Sequence, residues 1–353
     1  MTKIPIKEWV PSTLDEFIGQ SAFKRQLKVE IEASVRQKRA IRPIILSGLQ
    51  GTGKSTIARI IATERGLPPP IEIVGKGLTH ELITSILTKL PGSVGCPPGY
   101  SPDGYLIDPD AVQGRIVVID EAEAAPRAIY EILHAVLEPV NGRCLFIGKC
   151  VDGRIRTVWC MHVCFILLTN YLGQLIEEHG PTVSRFPLNY SFEGYETSEL
   201  QEVVAQFARQ QGQDLDLDAA ELIASRSHGM PRAAINLFRR SSDFNTVDNG
   251  AQKIDYQCVS DMMQMLEIDH NGLDKPMRSY LNALINAGGK LSIQGLGGVL
   301  QIEESTILKV IEPILLRKGM ISRGSGGRSI TSAGRAAISG SADPISIFDS
   351  RVV

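Results

Sequence analysis

The chain lacks any uninterrupted apolar stretch that approaches the roughly 18 residues needed to cross a bilayer. Residues 1–9 include Lys3, Lys7 and Glu8 and have no apolar core like that of a signal peptide. With 43% hydrophobic and 22% charged residues among 353, the composition excludes disordered and fibrous classes. We therefore expect a cytosolic protein of two or three domains, without a membrane partner.

Cysteine is scarce, because the chain has only six, and their irregular spacing excludes a disulfide framework. Cys160, His162 and Cys164 alternate along an apolar stretch, so in a strand they would face one way, and Cys150 lies nearby. Two interpretations follow, a zinc site or small side chains buried in a core strand. The second is favoured because structural zinc sites usually show close C-x2-C pairs.

A strong net charge is also missing, since the formal total is −2. The charge is unevenly distributed, however. Residues 271–340 contain nine Lys and Arg against four Asp and Glu, a local charge of +5 that leaves −7 for the rest. A basic C-terminal part on an acidic body indicates a polyanionic partner held by that part.

Short apolar runs alternate with amphipathic helical patterns from Ile44 to Leu168, which predicts an α/β domain with a parallel sheet. Residues 12–16 predict a capped helix start, with a second helix over residues 22–39. Beyond Glu196 the pattern becomes purely helical, and the basic part predicts three helices and a Gly-rich hairpin. Residues 91–114 are rich in Gly and Pro, a loop length that is uncommon unless the loop is functional or mobile.

The strongest motif is the segment from Gly48 to Ser55, GLQGTGKS, which fits G-x-x-x-x-G-K-[ST] and lies between an apolar strand and a helix. In such a loop, backbone N–H groups and the helix N-terminus surround phosphates, Lys54 reaches the outer phosphates, and Ser55 holds Mg²⁺. The predicted phosphate-binding residues are Gly48, Gly51, Thr52, Gly53, Lys54, Ser55 and Thr56. The motif predicts an ATP site.

A second motif, IVVIDE, ends an apolar strand in two carboxylates. Asp120 is predicted to bind Mg²⁺, and Glu121 to act as the general base that polarises the attacking water. Together the two motifs indicate a nucleotide hydrolase.

Five further segments resemble the RuvB family of AAA+ ATPases, and the likeness runs over about residues 5–340. They are TLDEFIGQ at residues 13–20, LTN at 168–170, SRF at 184–186, GMPR at 229–232, and the segment from 265 that leads into the C-terminal part. The resemblance implies that Phe17 and Ile18 line the adenine pocket and that Asn170 positions water. It also implies that Arg185 reaches into the neighbouring subunit's ATP and that Arg232 contacts the γ-phosphate.

The C-terminal part resembles the family's winged helix, with a recognition-type helix over residues 303–318 and a wing over 321–328. Arg323 and Arg328 flank the tip and are predicted to contact DNA phosphates, although winged helices also mediate protein contacts. Asp152-Gly153 predicts a hairpin over residues 143–158. In the family, the hairpin at this place contacts the partner RuvA, and Leu145, Phe146 and Ile147 would form such a docking patch if they are exposed. The same three side chains could instead be sheet core.

The resemblance therefore predicts a P-loop domain over residues 1–188, a helical lid over 189–269, a winged helix over 270–340 and a tail over 341–353. It implies a hexameric ring that uses ATP and Mg²⁺ to drive branch migration of Holliday junctions in recombination and repair. Four departures affect partner and substrate: Asn170 replaces Thr, DEAE replaces DEIH at residues 120–123, the box before Arg185 lacks its usual partner arginine, and residues 91–114 resemble an insertion. One alternative is an ATP-switch loader or remodeller of a DNA-bound partner, and another is an ATP-regulated DNA-binding regulator whose ATP turnover is incidental.

Overall fold

The computed structural model describes residues 9–90, 114–137, 145–160, 163–248, 253–324 and 326–339. The chain divides into two compact units. Unit 1 comprises Met1–Tyr195 with Met230–Arg232, and unit 2 comprises Glu196–Gly229 with Ala233–Val353. Among the described residues, no helix has the length and apolarity that crossing a membrane requires.

Unit 1 is built on a five-stranded parallel sheet with the strand order β2-β3-β6-β1-β7. Its strands are β1 (Ile44–Gly48), β2 (Ile71–Val74), β3 (Arg115–Asp120), β6 (Val163–Thr169) and β7 (Leu188–Phe192). The central strands are buried on both faces, as their continuous runs of Val, Ile and Leu require. In β1, Ser47 pairs with Thr169 of β6, so these two strands end at one edge of the sheet.

Helices cover this sheet, and a separate hairpin precedes β6. The helices are α1 (Ser21–Arg36), α2 (Lys54–Glu64), α3 (His80–Leu87), α4 (Arg127–Leu137) and α5 (Leu172–Val183). The hairpin consists of β4 (Leu145–Lys149) and β5 (Ile155–Trp159). It confirms the hairpin that Asp152-Gly153 predicts. Ile147 is largely exposed, as are Val151 and Ile155 of the same hairpin, so Ile147 is not sheet core.

Unit 2 begins with four helices: α6 (Thr197–Gln210), α7 (Leu217–Arg226), α8 (Pro231–Asp248) and α9 (Tyr256–Met265). It continues with α10 (Lys275–Asn286), β8 (Lys290–Leu291), α11 (Ile293–Leu300), α12 (Glu304–Thr306), a π-helical turn at Ile307–Ile311 and α13 (Glu312–Arg317). Last come β9 (Ile321–Gly324), β10 (Gly327–Ile330) and α14 (Ser332–Ser339). The strand order β8-β10-β9 and the apolar cluster around Tyr280 and Leu315 make this last part a winged helix.

Two local expectations differ from the structure. Residues 12–16 form a turn rather than a helix start, because the Glu16 carboxylate accepts hydrogen bonds from the N–H and hydroxyl of Ser12 and closes the segment on itself. The predicted P-loop domain ends at Leu188, where β7 begins. That strand pairs with β1 along its length, so it belongs to unit 1.

The cysteine-rich stretch shows no metal cluster among the residues that the structure describes. Cys150, Cys160 and Cys164 are reduced and buried, and burial raises the pKa of the Cys164 thiol. These are the properties of small side chains packed in a core. His162, and almost all of the loop over residues 91–114, lie outside the described residues.

Candidate active site

The loop between β1 and α2 has a backbone that only glycine permits at two positions. Gly48 has φ +130°, and a Cβ there would lie 2.4 Å from the carbonyl oxygen of Phe192. Gly53 has φ +100°, and its Cβ would lie 2.9 Å from the ring of Phe17. A side chain at either position would therefore push the loop out of shape.

The N-terminus of α2 faces this loop without a side-chain cap, because its N-cap residue is Gly53. The first N–H groups of the helix, from Lys54, Ser55 and Thr56, have no partner within the helix. Such a terminus attracts anions through its N–H groups and its dipole. The loop and helix together fit the phosphates of a nucleotide.

Lys54 is only 8% exposed and is held by three acceptors. Its Nζ donates to the carbonyl oxygens of Gly48 at 2.8 Å and Leu49 at 2.9 Å, and to Oδ1 of Asn170 at 2.9 Å. Burial lowers the pKa of Lys54 to about 8, although Asp120 and Glu123 oppose the shift by their charge. The structure thus brings the predicted residues Lys54 and Asn170 together.

This lowered pKa predicts that nucleotide binding depends on pH. Bound phosphates favour the charged ammonium, so binding takes up a proton wherever free Lys54 is neutral, above a pKa of about 8. Affinity for ADP should therefore fall by up to about tenfold per pH unit above that value and be constant well below it. Calorimetry in buffers of different ionisation enthalpy measures the proton uptake. Lys54→Arg, which stays charged, is the control, and no uptake by the native chain at high pH would contradict the prediction.

The carboxylates of the second motif lie at the same edge of the sheet, because Asp120 is the last residue of β3 and Glu121 follows it. Oδ1 of Asp120 accepts the N–H of Glu121 at 2.8 Å. Glu121 has φ +49°, a left-handed conformation that is uncommon for a non-glycine residue. The residue is exposed to solvent. This turn separates the two carboxylates, so that Asp120 stays at the strand end while Glu121 starts the following 3₁₀ turn.

Two site residues were missed by sequence reasoning. Oε1 of Glu123 accepts the N–H of Asn170 at 3.5 Å, and its Oε2 is buried without a hydrogen-bond partner among the described residues. The hydroxyl of Tyr195, itself buried, donates to the carbonyl oxygen of Thr52 at 3.2 Å. The departure DEAE at residues 120–123 signalled Glu123, whereas no pattern signalled Tyr195, which is 143 residues away from Thr52.

The predicted adenine and γ-phosphate residues also lie in unit 1. Phe17 is buried against the loop at Gly53, and Ile18 next to it is half-buried. The backbone N–H of Arg232 donates to the carbonyl oxygen of Gly51 at 3.3 Å. The predicted lid contains Arg232, yet residues Met230–Arg232 group with unit 1.

Arg185 follows α5 and is half-buried. Its backbone N–H donates to the carbonyl oxygen of Thr182 at 3.0 Å, and the next residue, Phe186, is buried in the core. The segment that carries Arg185 is therefore fixed at both sides.

The wing arginines are placed differently from the prediction of two free phosphate contacts. Both bind Glu312, which is 0% exposed: Nε of Arg323 donates at 2.7 Å and Nε of Arg328 at 2.8 Å. The hydroxyl of Tyr280 donates to the same carboxylate at 3.0 Å. The side chain of Arg328 is 17% exposed and that of Arg323 is 46% exposed. A buried carboxylate requires such partners, so the pair also holds the wing in place.

The parallel sheet with its phosphate loop, the carboxylates after β3 and the polar residue after β6 define an AAA+ ATPase. Three family models match the chain. They describe the Holliday junction DNA helicase RuvB P-loop domain at residues 9–90, the RuvB AAA lid domain at 195–269 and the RuvB C-terminal winged helix domain at 270–339. The chain belongs to the RuvB family.

Individual relatives agree with this assignment. The chain is 34% identical over 329 residues to the Holliday junction branch migration complex subunit RuvB of Kosmotoga olearia, covering 91% of this chain and 87% of that protein. The same subunit of Thermotoga maritima is 31% identical over 325 residues, covering 91% and 89%. The solved structure of the Thermotoga maritima RuvB Holliday junction branch migration motor superposes with a TM-score of 0.75 at 29% identity and covers 93% of this chain and 97% of that one.

Proposed function

We propose that this chain is an ATP-driven DNA motor that moves Holliday junctions by branch migration. The observation that carries the proposal is the joint placement of Lys54, Asp120 and Asn170 at one sheet edge, in a chain that matches RuvB subunits over about nine-tenths of its length. The junction substrate is proposed from the relatives, which are Holliday junction branch migration subunits, and the hydrolytic chemistry from this chain's own residues.

In the proposed reaction, the N–H groups of Lys54, Ser55 and Thr56 and the ammonium of Lys54 hold the phosphates. Ser55 and Asp120 would hold Mg²⁺, which supplies charge neutralisation on the phosphate oxygens. Glu121 accepts the proton of the attacking water, and Asn170 orients that water. The carboxylate of Glu123 accepts the backbone N–H of Asn170 and so helps to hold Asn170 in place.

The proposed assembly is a homo-oligomeric ring, hexameric by family resemblance, in which Arg185 completes the neighbour's site. A guanidinium supplied by the neighbouring subunit stabilises the charge of the transition state. The exposed hairpin residues Ile147, Val151 and Ile155 support a protein-docking role, and we propose a junction-binding protein like RuvA as the partner.

The proposed DNA surface is the winged helix, whose part of the chain carries a local charge of +5. Arg323 keeps nearly half of its side chain exposed and remains our proposed phosphate contact. Arg328 is largely committed to Glu312, so we assign its main role to holding the wing.

The test is branch migration of a synthetic four-way junction by the purified chain with ATP and Mg²⁺, with and without a RuvA-type protein. We expect migration with the native chain and none with Lys54→Ala, because that variant loses the phosphate contacts. ATP hydrolysis that never moves the junction, with or without the partner, would contradict the motor and favour a loader that is stimulated by a protein.

A further inference from the structure

Tyr130 of α4 contacts the turn that carries the general base. It is 2% exposed, and its hydroxyl donates to the carbonyl oxygen of Ala122 at 2.5 Å. Ala122 directly follows Glu121, whose backbone is left-handed. A left-handed non-glycine residue is retained only when its surroundings fix it. The hydroxyl of Tyr130 therefore helps to hold Glu121 in its orientation.

The same side chain contacts the helix that leads to Arg185. The ring of Tyr130 stacks on that of His179, with centroids 3.7 Å apart and planes at 10°. At His179 the helix α5 is interrupted, with φ −135° and ψ 26°, and Pro181 follows. Pro181 has no N–H to donate, so the interrupted turn lacks a normal helical bond. The stacked ring of Tyr130 holds His179, and with it the kink in α5, in place.

A third contact continues towards Arg185. The hydroxyl of Thr182 donates to the backbone carbonyl of Tyr130 at 3.1 Å, and the carbonyl of Thr182 accepts the N–H of Arg185 at 3.0 Å. Ala122, Tyr130 and Phe186 pack in one core cluster. Two hydrogen bonds thus connect Tyr130 with Arg185, and one connects it with the residue after Glu121.

We propose that Tyr130 is a positioning residue that couples two ATP sites, by setting the base Glu121 of its own site and the arginine Arg185 that serves the next subunit. The inference rests on the proposed role of Arg185 in the neighbouring site. Tyr130 itself touches no reacting atom in this arrangement. If the aromatic ring of Tyr130 only filled the core, Phe could replace Tyr130 without loss of ATP turnover.

The test mixes equal amounts of two inactive variants, so that ATP can be hydrolysed only at an interface between the two kinds of subunit. Arg185→Ala subunits keep Glu121 and receive an arginine, whereas Glu121→Gln subunits donate an arginine and cannot hydrolyse. Tyr130→Phe, which removes the hydroxyl bond to Ala122 and keeps the ring, is added to the receiving subunit. Tyr130→Leu, which also removes the stack on His179, is added to the donating subunit, where Tyr130→Phe is its control. We expect Tyr130→Phe in the receiving subunit and Tyr130→Leu in the donating subunit each to lower the recovered ATP turnover by about three- to tenfold, the effect of one ordinary hydrogen bond or one aromatic pair.

The matched control is Tyr190→Phe in β7, a hydroxyl removed from the same unit, which should change neither mixture. ADP affinity and the thermal midpoint of Tyr130→Phe should remain near the native values, which separates positioning from unfolding. Unchanged turnover with Tyr130→Leu in the donating subunit, or with Tyr130→Phe in the receiving subunit, would overturn the coupling. If the parent mixture recovers no activity at all, the trans role of Arg185 fails, and the coupling fails with it for that separate reason.

Discussion

Replacing Glu121 by Gln is expected to lower the ATP turnover number by about 10²–10⁴-fold, the usual contribution of a general base. Gln keeps the size and the hydrogen-bonding shape of the side chain but cannot accept the proton of the attacking water. Because ADP lacks the γ-phosphate beside which the attacking water is activated, ADP affinity should change little. Steady-state turnover and calorimetric ADP binding measure the two effects separately.

The matched control for this prediction is Glu131→Gln, which removes an exposed carboxylate of α4 that pairs with the exposed Arg127. A surface pair of this kind contributes little, so turnover should stay near the native value. Glu123 is the competing base, because its Oε1 accepts the N–H of Asn170 and its Oε2 is buried. Near-native turnover in Glu121→Gln, together with a large loss in Glu123→Gln, would transfer the catalytic role to Glu123.

The sequence predicted those site residues whose positions follow from short local patterns. A glycine loop between an apolar strand and a helix must bring backbone N–H groups and Lys54 together. A carboxylate pair after a buried parallel strand must lie at the same sheet edge. Asn170 follows another such strand, and the structure brings its amide to Lys54. Strand order and strand ends therefore determine most of the site.

Residues that act through distant side-chain partners could not be predicted in this way. Tyr195 reaches Thr52, and Tyr130 reaches His179, across long stretches of chain that no period describes. The wing is the clearest case. In sequence, Glu312 is an ordinary helical acid and Arg328 a free cation, whereas packing buries the carboxylate and draws the arginine onto it. Burial then decides which charges remain available to DNA.

Arg185→Ala should have the largest effect of all, a loss of about 10³–10⁵-fold in turnover, the range measured for arginines that stabilise phosphoryl transfer. The backbone segment that carries the side chain is fixed by its neighbours, since the backbone N–H of Arg185 donates to the carbonyl of Thr182 and Phe186 is buried in the core. Removing the guanidinium should therefore leave the fold and ADP binding of the subunit intact. Arg127→Ala, an exposed arginine of the same unit, is the control and should turn over normally.

The mixture with Glu121→Gln subunits decides whether Arg185 acts in trans. Each variant alone should be nearly inactive, because one lacks the arginine and the other lacks the base. Mixed rings contain interfaces at which the native Glu121 of one subunit meets the native Arg185 of the next. Turnover should therefore recover to a substantial fraction of the native rate. Recovery requires the two residues to meet across a subunit boundary. An Arg185→Ala variant that hydrolyses ATP normally by itself would remove this residue from the site, and with it the physical reason for a ring.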